Sequence, residues 1–193
     1  TPTDRDFMLQ AMAAAAGVRH STSPNPWVGA VVVADGSVVG TGATSPPGGP
    51  HAEVHALADA GTSAQGATLY VTLEPCDHQG RTGPCTEAIL GAGIARVVVG
   101  VADPDPEVGG RGLANLSEGG VEVVEGIAAA DITEQLAAYL HQRRTGRPYV
   151  VLKLASTLDG RIAAPDGSSA WITGREARTD VHRLRAESDA VCV

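Results

Sequence analysis

His51, Cys76 and Cys85 are three side chains of metal-binding type, and together they constrain the fold more than any other feature of the chain. To act as one site they must converge although they are far apart in sequence. The segment from His51 to about Ala60 reads as a helix ending near Gly61, and Ala67 to Leu73 reads as a strand. Glu74 to Gly83 is a polar loop, and Pro84 to about Ala92 is a helix with proline in its first turn. A helix start, a strand end and a second helix start therefore have to meet. Two thiolates and one neutral imidazole suit zinc, and three protein ligands leave a fourth tetrahedral position open for water. Glu53 lies two residues beyond His51, too close along the chain to be a comfortable fourth ligand. It is well placed to move a proton. His55, one turn on, reads as a supporting or core residue, and His78 in the Cys76–Cys85 loop reads as a substrate contact.

The remaining elements fit around this cluster. Asp4 to about His20 reads as an Ala-rich helix capped by Thr3. Pro24-Asn25-Pro26 interrupts the chain. Val28–Ala34 and Ser37–Gly42 flank Asp35-Gly36, the turn pair of a hairpin. Arg96–Val101 and Val121–Val124 read as strands, and Arg111–Glu118 and Ala128 to about Arg144 as helices. A hairpin followed by alternating helices and strands predicts a three-layer α/β/α sandwich. An antiparallel pair should form one edge of a mainly parallel sheet. Thr145-Gly146-Arg147-Pro148 marks a boundary between a first domain, 1–146, and a second segment, 147–193. That segment predicts a strand over Tyr149–Ala155, turns at Leu158-Asp159-Gly160 and Asp166-Gly167, a helix over Arg175–Glu187 and a terminal strand from Ala190. Its roughly 46 residues are too few to enclose a large ligand site of their own.

Charge narrows the partners. Residues 1–147 hold eight Lys and Arg against sixteen Asp and Glu, whereas 148–193 hold six of each. An acidic first domain disfavours DNA or RNA but allows one phosphate held by local cations. No apolar run reaches the roughly 18 residues of a membrane span, so no membrane association is expected. The polar start Thr1–Asp6 is unlike a secretory signal, and the expected location is the cytoplasm. Three cysteines without a signal argue against a disulfide framework, and Cys192, in an apolar run, is expected to be a buried small hydrophobe.

The segments His51-Ala-Glu-Val, Thr72-Leu-Glu-Pro-Cys-Asp-His-Gln-Gly-Arg-Thr-Gly-Pro-Cys85, Asp103-Pro-Asp-Pro and Pro24-Asn-Pro-Trp-Val-Gly29 resemble one bacterial family closely. That family comprises the bifunctional pyrimidine deaminase/reductases of riboflavin biosynthesis. The resemblance continues through Lys153–Gly160, Gly167–Thr173 and Leu184–Ala190, and so spans nearly the whole chain. Zinc nucleobase deaminases pair His-x-Glu with Pro-Cys-x-x-Cys. Here eight residues rather than two separate the cysteines, a variant the resembled family shares.

The resemblance implies a cytidine deaminase-like first domain that binds Zn²⁺. It would remove the 2-amino group of a diaminopyrimidine ribose phosphate, a small-molecule substrate. Glu53 would be catalytic, His51, Cys76 and Cys85 the ligands, and Asn25, His78 and Arg81 the substrate contacts. Arg81 stands where many relatives have Lys, and Asp105 where the family usually has Asn. Residues 147–193 would be the truncated start of a dihydrofolate reductase-like α/β domain that uses NADPH. Ala155 and Trp171 would meet the cofactor, and Ser169 and Arg185 the reductase substrate. The family's nucleotide-binding Gly-rich turn would follow Val193, so the piece is expected to carry the deaminase alone and to expose apolar surface over 148–193. A homo-oligomer is also implied.

Overall fold

A computed structural model describes residues 3–79, 83–105 and 108–192. The chain divides into two compact units, 1–149 and 150–193. The first is built on a five-stranded sheet of order β2-β1-β3-β4-β5. Its strands are β1 (Gly29–Ala34), β2 (Ser37–Ala43), β3 (Thr68–Leu73), β4 (Arg96–Val101) and β5 (Glu122–Glu125). The hairpin turn is Asp35-Gly36, with both residues at positive φ, as a tight two-residue hairpin requires. β1 runs antiparallel to β3 as well as to β2, while β3–β4 and β4–β5 are parallel. The sheet is therefore evenly mixed rather than mainly parallel.

Strand register shows which helices share a face. Gly29 lies against helix α1 (Asp4–Ala16), where a Cβ would overlap the Ala11 carbonyl oxygen. Gly42 lies against helix α2 (Ala52–Ala60), where a Cβ would overlap the Ala52 carbonyl oxygen. Gly42 pairs with Ala30 and Gly29 with Ala43, so the two glycines point to opposite faces and the two helices cover opposite sides. Helix α3 (Cys85–Gly91) packs beside α2, and helix α4 (Arg111–Glu118) packs beside α3. Gly100, on the α1 side of β4, meets Ile132 of helix α5 (Ala129–Gln135). The arrangement is the expected α/β/α sandwich.

Several elements depart from their expected bounds. α1 stops at Ala16, and Val18 N–H and Ser21 N–H then bond three residues back, winding the chain into tight turns. Pro84 is the N-cap of α3 rather than part of its first turn. The helix expected over 128–144 is two helices, α5 and α6 (Ala137–Thr145), interrupted at Leu136. The interruption is slight: Leu136 N–H still reaches Ile132 O, and Leu140 N–H reaches Leu136 O. Ile132, Leu136 and Leu140 thereby line one fully buried stripe, each contributing roughly 2 kcal/mol.

In the second unit, helix α7 (Arg175–Ala186) and the turns closed by Gly160 and Gly167 are present. The strand expected over Tyr149–Ala155 is not formed. No described strand pairs with it, and unpaired strand backbone has no reason to stay extended. Val150, Leu152 and Leu154 are exposed, as expected for an apolar segment without a covering layer. The terminal strand is likewise absent over 190–192, and Cys192 is exposed rather than buried. No helix of the described residues is long and apolar enough to cross a membrane.

Asp4 ties the start of α1 to the sheet: Arg96 donates to both its oxygens and Tyr70 O–H to one. Arg96 holds the Asp4 carboxyl down to about 2, against the opposing effect of burial. Its stabilisation is therefore fully present above pH ~4 and is lost as pH falls towards 2. Asp4→Asn should cost about 1 kcal/mol at pH 7 after allowing for solvent screening, and close to nothing at pH 2. Denaturant titrations at the two pH values measure this. Gly42→Ala should cost at least about 2 kcal/mol, because backbone must move to admit the methyl group, whereas Gly146→Ala, in the left-handed region with open space around it, should cost only about 1 kcal/mol. Thermal unfolding of the pair separates overlap from conformational cost.

Candidate metal centre

The site lies at the carboxyl end of β3, where α2 and α3 both begin. His51 is the N-cap residue of α2, in extended conformation with no side-chain cap bond, so its ring is free to face inward. Cys76 follows β3 in the loop, and Cys85 opens α3. Their donor atoms all lie within 4.8 Å of one another. His51 Nδ1 is 3.5 Å from Cys76 Sγ and 3.3 Å from Cys85 Sγ. A tetrahedral zinc with Zn–S near 2.3 Å and Zn–N near 2.0–2.1 Å separates N from S by about 3.5 Å. The donor set thus fits that ion in both chemistry and spacing.

Electrostatics point the same way. The Cys85 thiol hydrogen-bonds the Cys76 sulfur and holds Cys76 down to about 4, with His51 adding to the effect. The same bond, with burial, pushes Cys85 far up. The hydrogen bond with Cys76 pushes His51 up against its burial. A soft dication that replaces these shared protons relieves the cluster. Glu53 is 4% exposed, and burial pushes its carboxyl up. It lies beside the Cys85 thiol but outside the three-donor group, as a proton carrier rather than a ligand requires. His55 is not part of the group either. Its Nε2 is 2.7 Å from Ser45 Oγ.

The loop between the cysteines is pinned at its base. Asp77 accepts from Thr86 Oγ1, next to Cys85, and from Asn115 Nδ2 of α4. His51, Glu53 and Cys76 open into a cavity of ≈ 710 Å³, whose wall also carries Asn25 and exposed His78. Arg81 lies outside the described residues. Asp103, of the Asp103-Pro-Asp-Pro segment that carries the resemblance, also lines the cavity with Tyr139 and Arg143, which the sequence did not single out, and Tyr139 O–H donates to both Asp103 oxygens at 3.2 and 2.9 Å. Tyr139 and Arg143 lie one turn apart on α6, and that spacing was their only sequence signal. Glu74 is buried against the same cavity. Its Oε2 accepts the Asp103 N–H at 3.2 Å, fixing the 103–105 turn to the end of β3.

Ala155, Ser169, Trp171 and Arg185 all belong to the second unit. Ser169, Trp171 and Arg185 are exposed and Ala155 is half-buried. No described hydrogen bond, ion pair or ring contact links any two of them. Trp171 instead carries the Arg178 guanidinium over its ring at 4.3 Å.

A mixed sheet with an imidazole and two thiols at the start of two helices defines the class of zinc-binding deaminases. The family model described as the cytidine and deoxycytidylate deaminase zinc-binding region matches residues 1–101, and the chain belongs to that family. A second family model, the RibD C-terminal domain, matches residues 148–193. The chain is 50% identical to the riboflavin biosynthesis protein RibD of Escherichia coli, over 97% of this chain and 51% of that protein. Among solved structures it resembles RibD of Acinetobacter baumannii (48% identity, TM-score 0.88, 97% of this chain and 52% of that one). It also resembles the diaminohydroxyphosphoribosylaminopyrimidine deaminase/5-amino-6-(5-phosphoribosylamino)uracil reductase of Thermotoga maritima (43% identity, TM-score 0.89, 94% and 52%). The chain thus spans about half the length of the relatives it matches.

Removing one sulfur should empty the centre. Cys85→Ser is expected to lower zinc affinity at least about 100-fold. Chelator-competition titration of the purified protein checks this, and a variant that holds zinc as tightly as the unaltered chain would exclude Cys85 as a ligand.

Proposed function

We propose that the first unit is a zinc-dependent hydrolytic deaminase of riboflavin biosynthesis. Its substrate would be 2,5-diamino-6-ribosylamino-4(3H)-pyrimidinone 5′-phosphate, and its products 5-amino-6-(5-phosphoribosylamino)uracil and ammonia. The observation that carries this reading is the three-donor cluster with Glu53 buried beside it and outside it, at the floor of a cavity large enough for a nucleotide-sized ligand. Similarity to RibD over 97% of the chain supports the choice of substrate.

His51 Nδ1, Cys76 Sγ and Cys85 Sγ would hold the ion. Bound zinc supplies Lewis acidity and lowers the pKa of a water in the remaining position. Glu53 would take one proton of the attacking water and deliver it to the ring nitrogen next to the reacting carbon; it would then take the second, from the new C–OH as the C=O forms, and pass it to the amine, which leaves as ammonia. Burial suits this role, because it brings the carboxyl's proton affinity closer to that of the groups it serves. Asn25, on the cavity wall, would bond the base or ribose, and His78 and Arg81 would hold the phosphate.

A small molecule rather than a nucleic acid suits a cavity wall that carries Glu53, Glu74, Asp103 and Asp105. NADPH-dependent reduction of the ribosyl group belongs to the same reading for a protein of the relatives' full length. Ala155 and Trp171 would then meet the cofactor, and Ser169 and Arg185 the substrate. A cytoplasmic homo-oligomer completes the reading.

Glu53→Gln should keep its zinc and lose about 10²- to 10⁴-fold in kcat for ammonia release from the diaminopyrimidine phosphate. Steady-state ammonia assays with parallel zinc analysis test this. Unchanged turnover in the variant, or turnover of cytidine-type substrates alone, would overturn the assignment.

A further inference from the structure

We propose that Arg143, on the cavity wall, is a positioning residue that grips the anionic end of the ligand. Among the described residues lining the cavity it is the only Arg or Lys, whereas four carboxylates face the same space. A phosphorylated ligand entering such a cavity meets net repulsion unless a cation answers it. The guanidinium of Arg143 is held on two sides. It rests over the Tyr139 ring, 5.3 Å from the centroid, and its Nη1 is 3.4 Å from Asp105 Oδ2.

Both supports are themselves fixed. Tyr139 O–H donates to Asp103, and Asp105 N–H donates to Asp103 Oδ1 at 2.9 Å, so one buried carboxylate anchors the ring and the turn together. The Asp105 contact is single and long for a charge-assisted bond, whereas a guanidinium carries five donors in a planar fork. The Arg143 side chain is 40% exposed, which leaves much of that fork to the solvent-filled space. A pre-oriented fork with donors to spare matches two oxygens of a phosphate monoester. Asp105 then serves as a parking place: it holds the cation at the wall and partly neutralises it until a doubly charged oxyanion displaces it.

The inference rests on the deaminase reading only for the identity of the anion, and its test is chosen to stand without turnover. Binding of ribose 5-phosphate and of ribose is measured by calorimetry or NMR titration on the 193-residue chain, on Arg143→Gln and on Arg143→Lys. The unaltered chain is expected to prefer the phosphate form by about 10-fold or more. Arg143→Gln should remove most of that preference, leaving what His78 and Arg81 supply, without changing ribose binding, and Arg143→Lys should recover part of it. In ammonia assays Arg143→Gln should raise KM for the phosphorylated pyrimidine about 10- to 100-fold, with kcat within a few-fold and KM for the dephosphorylated pyrimidine unchanged. An undiminished phosphate preference in Arg143→Gln, or equal losses on both forms of the ligand, overturns the proposal. Absence of ammonia release from the unaltered chain overturns the deaminase reading instead, and the sugar-phosphate titration still decides the role of Arg143.

Discussion

The structure of the first unit depends on the burial of an imidazole, two thiols and a carboxyl within a few ångströms of one another. Cys85 is fully buried and Glu53 nearly so. Such a cluster is costly without a partner, because each group has lost water and gained only shared protons in return. The fold meets that cost by placing two helix N-termini there. The Cys85 N–H, at the start of α3, donates to the Cys76 side chain, and α2 and α3 begin at His51 and Cys85, so the positive ends of their dipoles lie at the cluster. This stabilises thiolate charge before any ion arrives. The gap of 25 residues between His51 and Cys76 then holds α2, a 3₁₀ turn and β3, the path that returns the chain to the same end of the sheet.

Close packing keeps the cluster in register. Gly40 and Gly42 of β2 admit α2 to backbone contact, so the helix that begins with His51 cannot slide along the sheet without overlap. Gly112 plays the corresponding part for α4 against the Pro75 carbonyl, one residue before Cys76. His51 and Cys76 are thus each held by a segment whose position is set by a glycine contact. The hydrogen bonds of Asp77 to Thr86 and Asn115 add polar ties across the loop that joins the two sulfurs.

Much of this was legible in the sequence, and for local reasons. Asp35-Gly36 encodes a tight turn, Thr3 encodes a cap, and Thr3 accepts from Asp6 N–H while the Asp6 carboxylate accepts from Thr3 N–H. His51, Glu53, Cys76 and Cys85 are chemically distinctive, and their convergence is the one reading of them that makes chemical sense. The misread parts depend on partners. Whether β1 runs antiparallel to β3 is decided by the crossover through α2, which no pattern within β1 records. Tyr149–Ala155 has the composition of a strand but no described strand to pair with, and Cys192 has apolar neighbours in sequence but no packing layer in space. Tyr139 and Arg143 escaped notice because an i, i+4 aromatic–arginine pair is ordinary on any helix surface. Only the tertiary contact with Asp103 and Asp105 turns it into a cavity wall.

The cavity joins two regions of opposite electrostatic demand. Negative charge on sulfur, which suits a dication, is favoured there by the Cys76–Cys85 hydrogen bond and by helix N-termini, against the effect of burial, and among the described residues of the cluster by no Lys or Arg. A cation close to the thiolates would compete with the ion for them. On the proposed reading the same cavity admits an anion, which its carboxylates oppose. The two demands fall on different elements: the soft anionic donors lie where α2 and α3 begin, and the guanidinium lies on α6, over the Tyr139 ring. Burial raises the proton affinity of Asp103 and Glu74 while backbone N–H groups bond to each, which limits the negative charge they present to a ligand. His78 of the loop between the cysteines and Tyr139 and Arg143 of α6 thus bring polar groups to one cavity that also reaches His51, Glu53 and Cys76.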